Sequence, residues 1–426
     1  MGYNDDAWEK LFYQYDILNA VHKQGVFEIS AAQIKPCREP RLMTKFDHYQ
    51  NLPELFRRYG LSILPTTRGS YVISSFEAYR RFEPPSFQTE RVPLPENLQS
   101  LSPEFITSEA LALNCAYSTG ILADFLDDGA LLPTTSGRMG SGSFSFSIGT
   151  REGARRVQVE NAQIEIDAGY EGERSLSLIE AKMDLAEDFL IRQLYYPFRV
   201  WSARISKTIR PIFLIYTNGI FFLYEYRFLE PDNYNSLALV RQKNYVVGAG
   251  FSLGEFQETL ARTKIVPEPP LPFPQADSLP RVINLLEQLQ KSPMPKDDIT
   301  QRYGFTPRQT SYYTDAGRYL GLMERERRLD CGTRYSLTRE GRSLLKLPYR
   351  ERQLALFQCI IRHKVFHDAV ARCLCLSRPL IKREAVELMR QSPLYGVVSD
   401  STYTRRASTV QSWSNWCLQL LEKGSL

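Results

Sequence analysis

Two segments near the middle of the chain constrain its fold most strongly. Residues 163–167 (Gln-Ile-Glu-Ile-Asp) and 175–182 (Ser-Leu-Ser-Leu-Ile-Glu-Ala-Lys) alternate in polarity, which is the period of a β-strand. The seven residues between them include two glycines and are few enough for a hairpin loop. We therefore predict that the two segments are paired strands of one sheet.

The polar positions of this predicted hairpin carry three acids and a lysine. Glu165 and Asp167 share one face of the first strand, and Glu180 and Lys182 share one face of the second. Asp167 and Glu180 offer the hard oxygen ligands that Mg²⁺ prefers, and Lys182 is placed to orient a water molecule. The set predicts Mg²⁺-dependent hydrolysis of a phosphodiester bond. The alternative is a cross-strand ion pair on a solvated sheet face. Glu165 could support the metal-binding acids, and a surface role is the alternative for that residue.

Proline-rich stretches divide the chain. Residues 266–274 (Val-Pro-Glu-Pro-Pro-Leu-Pro-Phe-Pro) can continue neither a helix nor a central strand, and a second stretch covers residues 83–96. The prediction is an α/β multidomain protein. Its segments are an N-terminal mixed α+β domain considered for DNA recognition (1–98), a strand-rich domain (99–265), a Pro-rich linker (266–277) and two mainly helical modules (278–348 and 349–426).

Local patterns predict further elements. A Gly/Ser-rich connector is expected at residues 134–142, where Arg138 could read a guanine. The remaining expectations are a helix over 7–27, a hairpin formed by 61–65 and 68–73, a helix over 103–126, a strand at 144–148, a helix through 194 and 201, and a hairpin of 211–217 and 220–226 turned at Asn218-Gly219.

Composition narrows the class of protein. The chain has 426 residues, a formal net charge of +5 and seven scattered cysteines with no Cys-x-x-Cys pair, which suits a reducing compartment. The N-terminus is polar, and no apolar run approaches the roughly 18 residues of a membrane span. A cytoplasmic protein is expected. Cys359, His363 and His367 recur every four residues on a predicted helix and could form a zinc site, although a buried core cysteine explains the pattern as well.

The C-terminal third has the pattern of a winged helix-turn-helix. Three amphipathic segments (282–289, 297–303 and 306–322) precede two short strands within 323–337. The third helix, the wing and a later basic helix at 402–416 supply candidate DNA contacts, and the alternatives are wing ion pairs, a dimerisation module and an ordinary amphipathic helix. The predicted DNA-binding residues are Arg138, Arg308, Gln309, Thr310, Arg325, Arg327, Arg328, Arg405 and Arg406.

The arrangement of Asp167 followed by Glu180-Ala-Lys182 resembles the PD-(D/E)XK nuclease superfamily. A helix follows, as that fold requires, and carries Gln193-Leu-Tyr-Tyr-Pro197, which is similar to the QxxxY-like element of some members, although Tyr196 lies three residues after Gln193 instead of four. Glu109, in an upstream helix, matches the position of an extra metal-shell carboxylate in many members. An exposed first-turn glutamate favoured by the helix dipole explains Glu109 equally well.

The resemblance narrows to a group of bacterial type II restriction endonucleases. It rests on residues 40–47, 61–73, 164–170, 179–182 and 193–199. It implies a restriction endonuclease-like core, sequence-specific Mg²⁺-dependent cleavage of double-stranded DNA, and a cognate DNA methyltransferase acting on the same site. Cutting both strands needs two active sites, which predicts a homodimer. The alternatives are a non-enzymatic winged-helix regulator and a less specific defence or repair nuclease. The latter would usually carry a helicase motor, and the sequence has no Walker A motif.

Overall fold

The computed structural model describes residues 3–83, 89–103, 106–248, 250–328 and 332–421. The chain is a mixed α/β protein with one large mixed sheet. It forms two compact units. The first contains Met1–Ser86, Ser108–Ile215 and Phe222–Lys243, and the second contains Phe87–Thr107, Tyr216–Phe221 and Asn244–Leu426. Within the described residues, no helix has both the length and the apolar character needed to span a membrane.

The N-terminal segment of the first unit packs around buried aromatic side chains. Its elements are α1 (Tyr3–Gln14), α2 (Ile17–Gln24), β1 (Phe27–Ser30), α3 (Ala31–Ile34), α4 (Pro40–Thr44), α5 (Glu54–Tyr59), β2 (Ser62–Pro65), β3 (Ser70–Ser74) and β4 (Tyr79–Arg81). The Trp8 ring contacts Phe56 edge-on at a centroid distance of 4.7 Å. The predicted β2–β3 hairpin is confirmed. The single helix predicted over 7–27 is wrong, because Asp16 adopts a left-handed conformation (φ 46°) and separates α1 from α2.

The central sheet has seven strands in the order β5-β14-β13-β12-β10-β9-β6. The elements of this region are β5 (Thr89–Val92), α6 (Glu109–Ser118), α7 (Ile121–Leu126), β6 (Leu132–Gly140), β7 (Ser143–Thr150), β8 (Gly153–Glu160), β9 (Gln163–Glu171), β10 (Ser175–Lys182), β11 (Asp188–Leu190), α8 (Arg192–Ser202), β12 (Thr208–Thr217), β13 (Ile220–Phe228) and β14 (Leu237–Val247). Strand β10 pairs antiparallel with β9 and parallel with β12. Helix α8 connects β10 and β11 to β12 and covers this part of the sheet.

Two expectations for this region are wrong. The helix predicted over 103–126 is two helices, α6 and α7, since Gly120 adopts a left-handed conformation (φ 78°) between them. The Gly/Ser-rich stretch predicted as a connector is mostly strand β6, paired antiparallel with β9. Pairing with β9 satisfies the backbone groups of β6 that face β9, and Gly137 (φ 91°) lies where the register shifts.

The hairpin of β12 and β13 is confirmed, with Asn218 (φ 50°) and Gly219 (φ 73°) forming its turn. Both residues of a type I′ turn need positive φ angles, which Asn-Gly tolerates. The turn belongs to the second unit, where its polar groups are bonded. Thr217 Oγ1 donates to Glu287 Oε2 at 2.9 Å, and Gln353 Nε2 donates to Asn218 Oδ1 at 2.9 Å.

The second unit is mainly helical. Its other elements are α9 (Leu253–Arg262), α10 (Leu279–Lys291), β15 (Met294–Pro295), α11 (Lys296–Tyr303), α12 (Pro307–Tyr319), β16 (Met323–Arg328), β17 (Gly332–Leu337), α13 (Arg339–Leu345), α14 (Tyr349–Ile361), α15 (Lys364–Leu376), α16 (Lys382–Arg390) and α17 (Asp400–Gln419). The three predicted helices are α10, α11 and α12, and the predicted strand pair is β16–β17. The residues around the predicted wing turn, including Cys331, lie outside the described part of the chain. One hydrophobic core runs from Phe251 to Leu421 and includes Val410, Trp413 and Leu420 of α17 and its C-terminal end.

Candidate active site

The hairpin of β9 and β10 brings Asp167 to the end of β10. The paired positions run from Leu176 opposite Glu171 to Ile179 opposite Ala168. Asp167 follows next on β9, and its Oδ2 accepts a hydrogen bond of 2.8 Å from the backbone nitrogen of Ala181. Because Ala181 lies between Glu180 and Lys182, this bond fixes the Asp167 carboxylate beside both.

Glu180 and Lys182 form the centre of the cluster. Lys182 Nζ lies 2.5 Å from Glu180 Oε1, and Gln193 Nε2 on α8 donates to the same oxygen at 2.6 Å. Burial raises the pKa of Glu180 to about 7 against the opposing charge of Lys182, and the charge of Asp167 adds to the rise. Two carboxylates held this close repel each other, which a bound cation would relieve.

Lys182 is a permanent cation in this setting. Its burial alone would lower its pKa, but the charges of Glu180 and Asp47 and the hydrogen bond to Glu180 raise the pKa of Lys182 above its ordinary value. The sequence placed the lysine correctly on the same face as Glu180. A buried ammonium with three donors can stabilise negative charge that develops beside it.

Asp47 was missed by sequence reasoning. Its charge acts on both Glu180 and Lys182, and its Oδ1 is buried with no hydrogen-bond partner in the described part of the protein. The backbone oxygen of Asp47 accepts a hydrogen bond of 2.9 Å from the nitrogen of Leu190, which ties this loop to β11. The block 40–47 supported the resemblance to nucleases, but it offered no pattern from which a role for Asp47 could be derived.

Glu109 also faces the cluster. It is the first residue of α6, whose N-cap Ser108 accepts a hydrogen bond from the nitrogen of Leu111. Partial burial raises the pKa of Glu109, the charges of Lys182 and Lys45 oppose the rise, and that of Asp167 adds to it. The structure therefore brings Glu109 to the same cleft as the predicted catalytic residues.

The cluster lines a cleft of about 490 Å³ within the first unit. One wall is built by β9, β10 and α8. The rest of the lining comes mainly from the N-terminal segment. Its lining includes Glu39, Arg41, Lys45, Arg68, Glu109, Glu165, Asp167, Glu180, Lys182, Arg192, Gln193 and Tyr196.

Two further residues of the cleft, Tyr196 and Glu165, form hydrogen bonds to groups outside the predicted catalytic cluster; their partners are Pro65 and Arg138. The Tyr196 hydroxyl donates to the carbonyl oxygen of Pro65 at 2.9 Å, so it holds the N-terminal segment against α8. Glu165 is exposed and pairs with Arg138 at 3.1 Å. Arg138 lies on the exposed strand β6, where half of its side chain is accessible.

The predicted DNA-binding residues of α12 and the wing differ in exposure. Arg308 is exposed at the start of α12, and Gln309 Oε1 accepts from the nitrogen of Thr306 at 2.8 Å as part of the helix cap. Thr310 is fully buried, with its Oγ1 2.7 Å from that of Thr300, which removes it from the surface on which we predicted it. Arg325 and Arg327 are exposed, whereas the Arg328 side chain lies outside the described residues.

The two arginines of α17 also differ. Arg405 is exposed, while Arg406 is half-buried. Burial lowers the pKa of Arg406, and the nearby Tyr312 and Asp315 of α12 oppose this effect. The Arg406 side chain therefore packs toward α12, and only Arg405 projects into solvent as predicted.

The predicted zinc residues are not on one helix. Helix α14 ends at Ile361 and α15 begins at Lys364, so His363 is the N-cap of α15. Cys359 contacts Glu340, and burial lowers the pKa of His363 to about 3. Among the described residues, no three His, Cys, Asp or Glu side chains are grouped in a way that could hold a metal ion.

The donor set in the cleft suits Mg²⁺ nonetheless. Mg²⁺ usually takes only one or two protein carboxylates and completes its shell with water and substrate phosphate, so it needs no cluster of three side chains. Asp167, held by the backbone of Ala181, and Glu180 provide two such groups. Burial raises the pKa of Glu180, and the charge of Asp167 adds to the rise. The residues present therefore fit a magnesium ion better than zinc, which favours nitrogen and sulfur ligands.

Comparison with known proteins divides the chain into three matched segments but indicates no activity. Three family models match, each described as a domain of unknown function: DUF6996 at residues 5–73, DUF6997 at residues 74–246 and DUF7226 at residues 281–422. Neither the curated proteins nor the solved structures gave a match. The residues of the cleft fall in the first two of these matched segments, and the winged-helix candidate falls in the third.

Proposed function

We propose that the chain is a Mg²⁺-dependent endonuclease that hydrolyses phosphodiester bonds of double-stranded DNA. One observation carries the proposal. Asp167, Glu180 and Lys182 meet beside Gln193 in a cleft that is also lined by arginine and lysine side chains. Cleavage of a nucleic-acid backbone requires acids that bind Mg²⁺, a fixed lysine and basic residues around them.

The order of elements supports a core of the PD-(D/E)XK type. Strands β9 and β10 carry the acids and the lysine, and helix α8 with Gln193 follows before the chain enters β12. Strand β12 then pairs with β10 in parallel, which gives a sheet with a crossover helix on its face. This arrangement agrees with the expectation that a helix follows the catalytic strand in this superfamily.

Each residue of the cluster has a role in this proposal. Asp167 and Glu180 would hold the magnesium ion, which when bound polarises the scissile phosphate and lowers the pKa of a coordinated water. Lys182 orients the attacking water and stabilises negative charge on the phosphate oxygens. Gln193 holds the Glu180 carboxylate through Oε1, and Asp167 is held by the backbone of Ala181. Both acids are therefore positioned before substrate arrives.

The second unit supplies a candidate for duplex binding. Helices α10, α11 and α12 followed by the β16–β17 hairpin have the order of a winged helix, and Arg308, Arg325 and Arg327 are exposed on it. Together with the resemblance in sequence, this supports a type II restriction endonuclease that acts as a homodimer beside a methyltransferase of the same specificity.

The test is cleavage of plasmid and phage DNA by the full chain, with Mg²⁺ or with EDTA. We expect Mg²⁺-dependent cutting into discrete fragments. We expect Lys182→Ala to lower the rate about 100-fold or more, the usual effect of removing one group that stabilises transition-state charge. Lys207→Ala is the matched control, because Lys207 also pairs with a glutamate (Glu171, 2.8 Å) but lies outside the cleft.

Three outcomes would count against parts of the proposal. Specific DNA binding without cutting would favour the winged-helix regulator. A smear of products in place of discrete fragments would favour a less specific defence or repair nuclease. If Lys182→Ala, with an unchanged circular dichroism spectrum, cut as fast as the wild type, the assignment of the site would be wrong.

A further inference from the structure

Three exposed cations line the part of the cleft that the N-terminal segment builds. Arg41 and Lys45 lie in and just after α4, and Arg68 lies in the turn between β2 and β3. We call these three side chains the basic rim. All three are exposed, and they come from the N-terminal segment, for which sequence patterns suggested no chemistry.

The basic rim has no close counter-charge among the described residues, although the charge of Lys45 acts on Glu109. None of its three side chains forms an ion pair or hydrogen bond with any residue that the structure describes. Other arginines of the same unit are paired: Arg138 with Glu165, Arg174 with Asp128 and Arg210 with Glu225. Glu39 is the acid on the rim's own wall, so that wall keeps an excess of positive charge.

The wall that carries the basic rim is anchored to the rest of the unit. The carbonyl oxygens of Pro65 and Thr66 accept hydrogen bonds from Tyr196 (2.9 Å) and from the nitrogen of Glu160 (2.7 Å). Next to α4, the Trp8 indole donates to the carbonyl oxygen of Met43 at 3.0 Å. The cations are therefore mounted on elements of fixed position, although their own side chains reach into solvent.

The charges in the cleft are unevenly distributed. Asp167 and Glu180 lie on β9 and β10 with the paired Lys182 and with Arg192 of α8. On the N-terminal segment, the exposed cations of the basic rim outnumber Glu39. A small neutral ligand would form ion pairs with neither the acids nor the cations of the cleft. A chain of phosphates fits both, because one phosphate can share the cation held by the acids while its neighbours contact arginine and lysine directly.

We infer that the basic rim binds the phosphates that flank the scissile phosphate in double-stranded DNA. This inference rests on the proposed nuclease function, and it assigns to the N-terminal segment the backbone contacts that seat DNA in the cleft. Such contacts position the substrate without reading its sequence. The predicted arginines of the second unit are then additional contacts.

The experiment measures DNA affinity separately from cutting. Binding of a fluorescent duplex of mixed sequence to the full chain is titrated by anisotropy at several KCl concentrations, with Ca²⁺ in place of Mg²⁺. The test variant is Arg41→Ala/Lys45→Ala/Arg68→Ala. The control is Lys23→Ala/Arg57→Ala/Arg227→Ala, which removes the same charge from exposed positions of the same unit outside the cleft.

We expect the rim variant to bind more weakly and with a shallower salt dependence. Each lost phosphate contact changes the slope of log K against log [salt] by about 0.9, so three contacts give a change of about 2.7. The control should change the slope by well under one contact. A rim variant whose affinity and slope match those of the control would overturn the inference, and so would tighter binding of single-stranded DNA or of RNA than of the duplex.

The two proposals fail in distinguishable ways. If the rim variant lowers duplex affinity and slope as expected but the wild type never cuts with Mg²⁺, the nuclease function fails and the basic rim stands only as a phosphate-binding surface. If the wild type cuts with Mg²⁺ and the rim variant binds normally, the rim fails and the nuclease stands.

Discussion

Replacing Asp128 by asparagine tests whether one buried carboxylate fixes the start of strand β10. The Asp128 side chain is 2% exposed and accepts hydrogen bonds from the backbone nitrogens of Arg174 (3.0 Å) and Ser175 (2.9 Å). It also accepts from Arg174 Nε at 2.9 Å and from Ser175 Oγ at 2.6 Å. Burial would raise the pKa of Asp128, but these bonds lower it to about 2.

The magnitude follows from that pKa. A fall from 3.8 to about 2 corresponds to about 2.4 kcal/mol at about 1.36 kcal/mol per pKa unit. The Arg174 guanidinium is 75% exposed, so water screens its share, and we expect about 1–2 kcal/mol for Asp128→Asn. Because the folded pKa is the lower one, this stability is fully present above about pH 4 and is lost as the pH falls to about 2.

Hydrogen exchange of the β10 amides measures the effect where it acts. At pH 7 we expect the protection of β10 to fall about 5- to 30-fold in Asp128→Asn, the equivalent of 1–2 kcal/mol. The neighbouring Asp127→Asn is the control, because the Asp127 side chain is exposed. The reasoning is refuted if both variants lose the same protection, or if the loss in Asp128→Asn is as large at pH 2 as at pH 7.

Two further predictions concern the same unit. Gln193→Ala removes the hydrogen-bond donor to Glu180 Oε1. We therefore expect the rate of DNA cleavage in single-turnover kinetics to fall about 10-fold while duplex affinity is unchanged. An unchanged rate would contradict the positioning role of Gln193. Glu225→Gln removes the charge that Arg210 and Arg241 share at 2.7 and 2.6 Å in a site where Glu225 is 8% exposed. We expect about 3 kcal/mol less stability in urea unfolding, since two guanidiniums lose their counter-charge; a loss below that of Lys207→Ala would contradict it.

The sequence predicted best what is local. The strands around Asp167 and Glu180 are separated by a short loop, so polarity alternation alone fixed which side chains share a face. The turn at Asn218-Gly219 was equally predictable, because few other residue pairs tolerate two positive φ angles in succession. In both cases the information needed lies within about twenty residues of chain.

The features that the sequence did not reveal depend on contacts between residues that are far apart in the sequence. Asp47 and Arg68 reach the cleft across more than a hundred residues, and no local pattern distinguishes them from other surface charges. The Gly/Ser composition of 134–142 favours a loop, yet the open edge of β9 turns most of it into strand β6. Arg406 has the spacing of a surface residue but packs toward α12 because α17 belongs to the same core.

The turn at Asn218-Gly219 has a consequence for how this protein can evolve. Its neighbour Thr217 donates a hydrogen bond to Glu287 on α10, and Asn218 accepts one from Gln353 on α14. Burial raises the pKa of Glu287. A fragment that begins at residue 278 would lack the hairpin tip, so Glu287 and Gln353 would lose these hydrogen bonds, each worth about 0.5–1.5 kcal/mol. Recombination at the Pro-rich linker would therefore transfer a less stable helical module to another gene. The helices keep their full stability only when the hairpin tip is inherited with them.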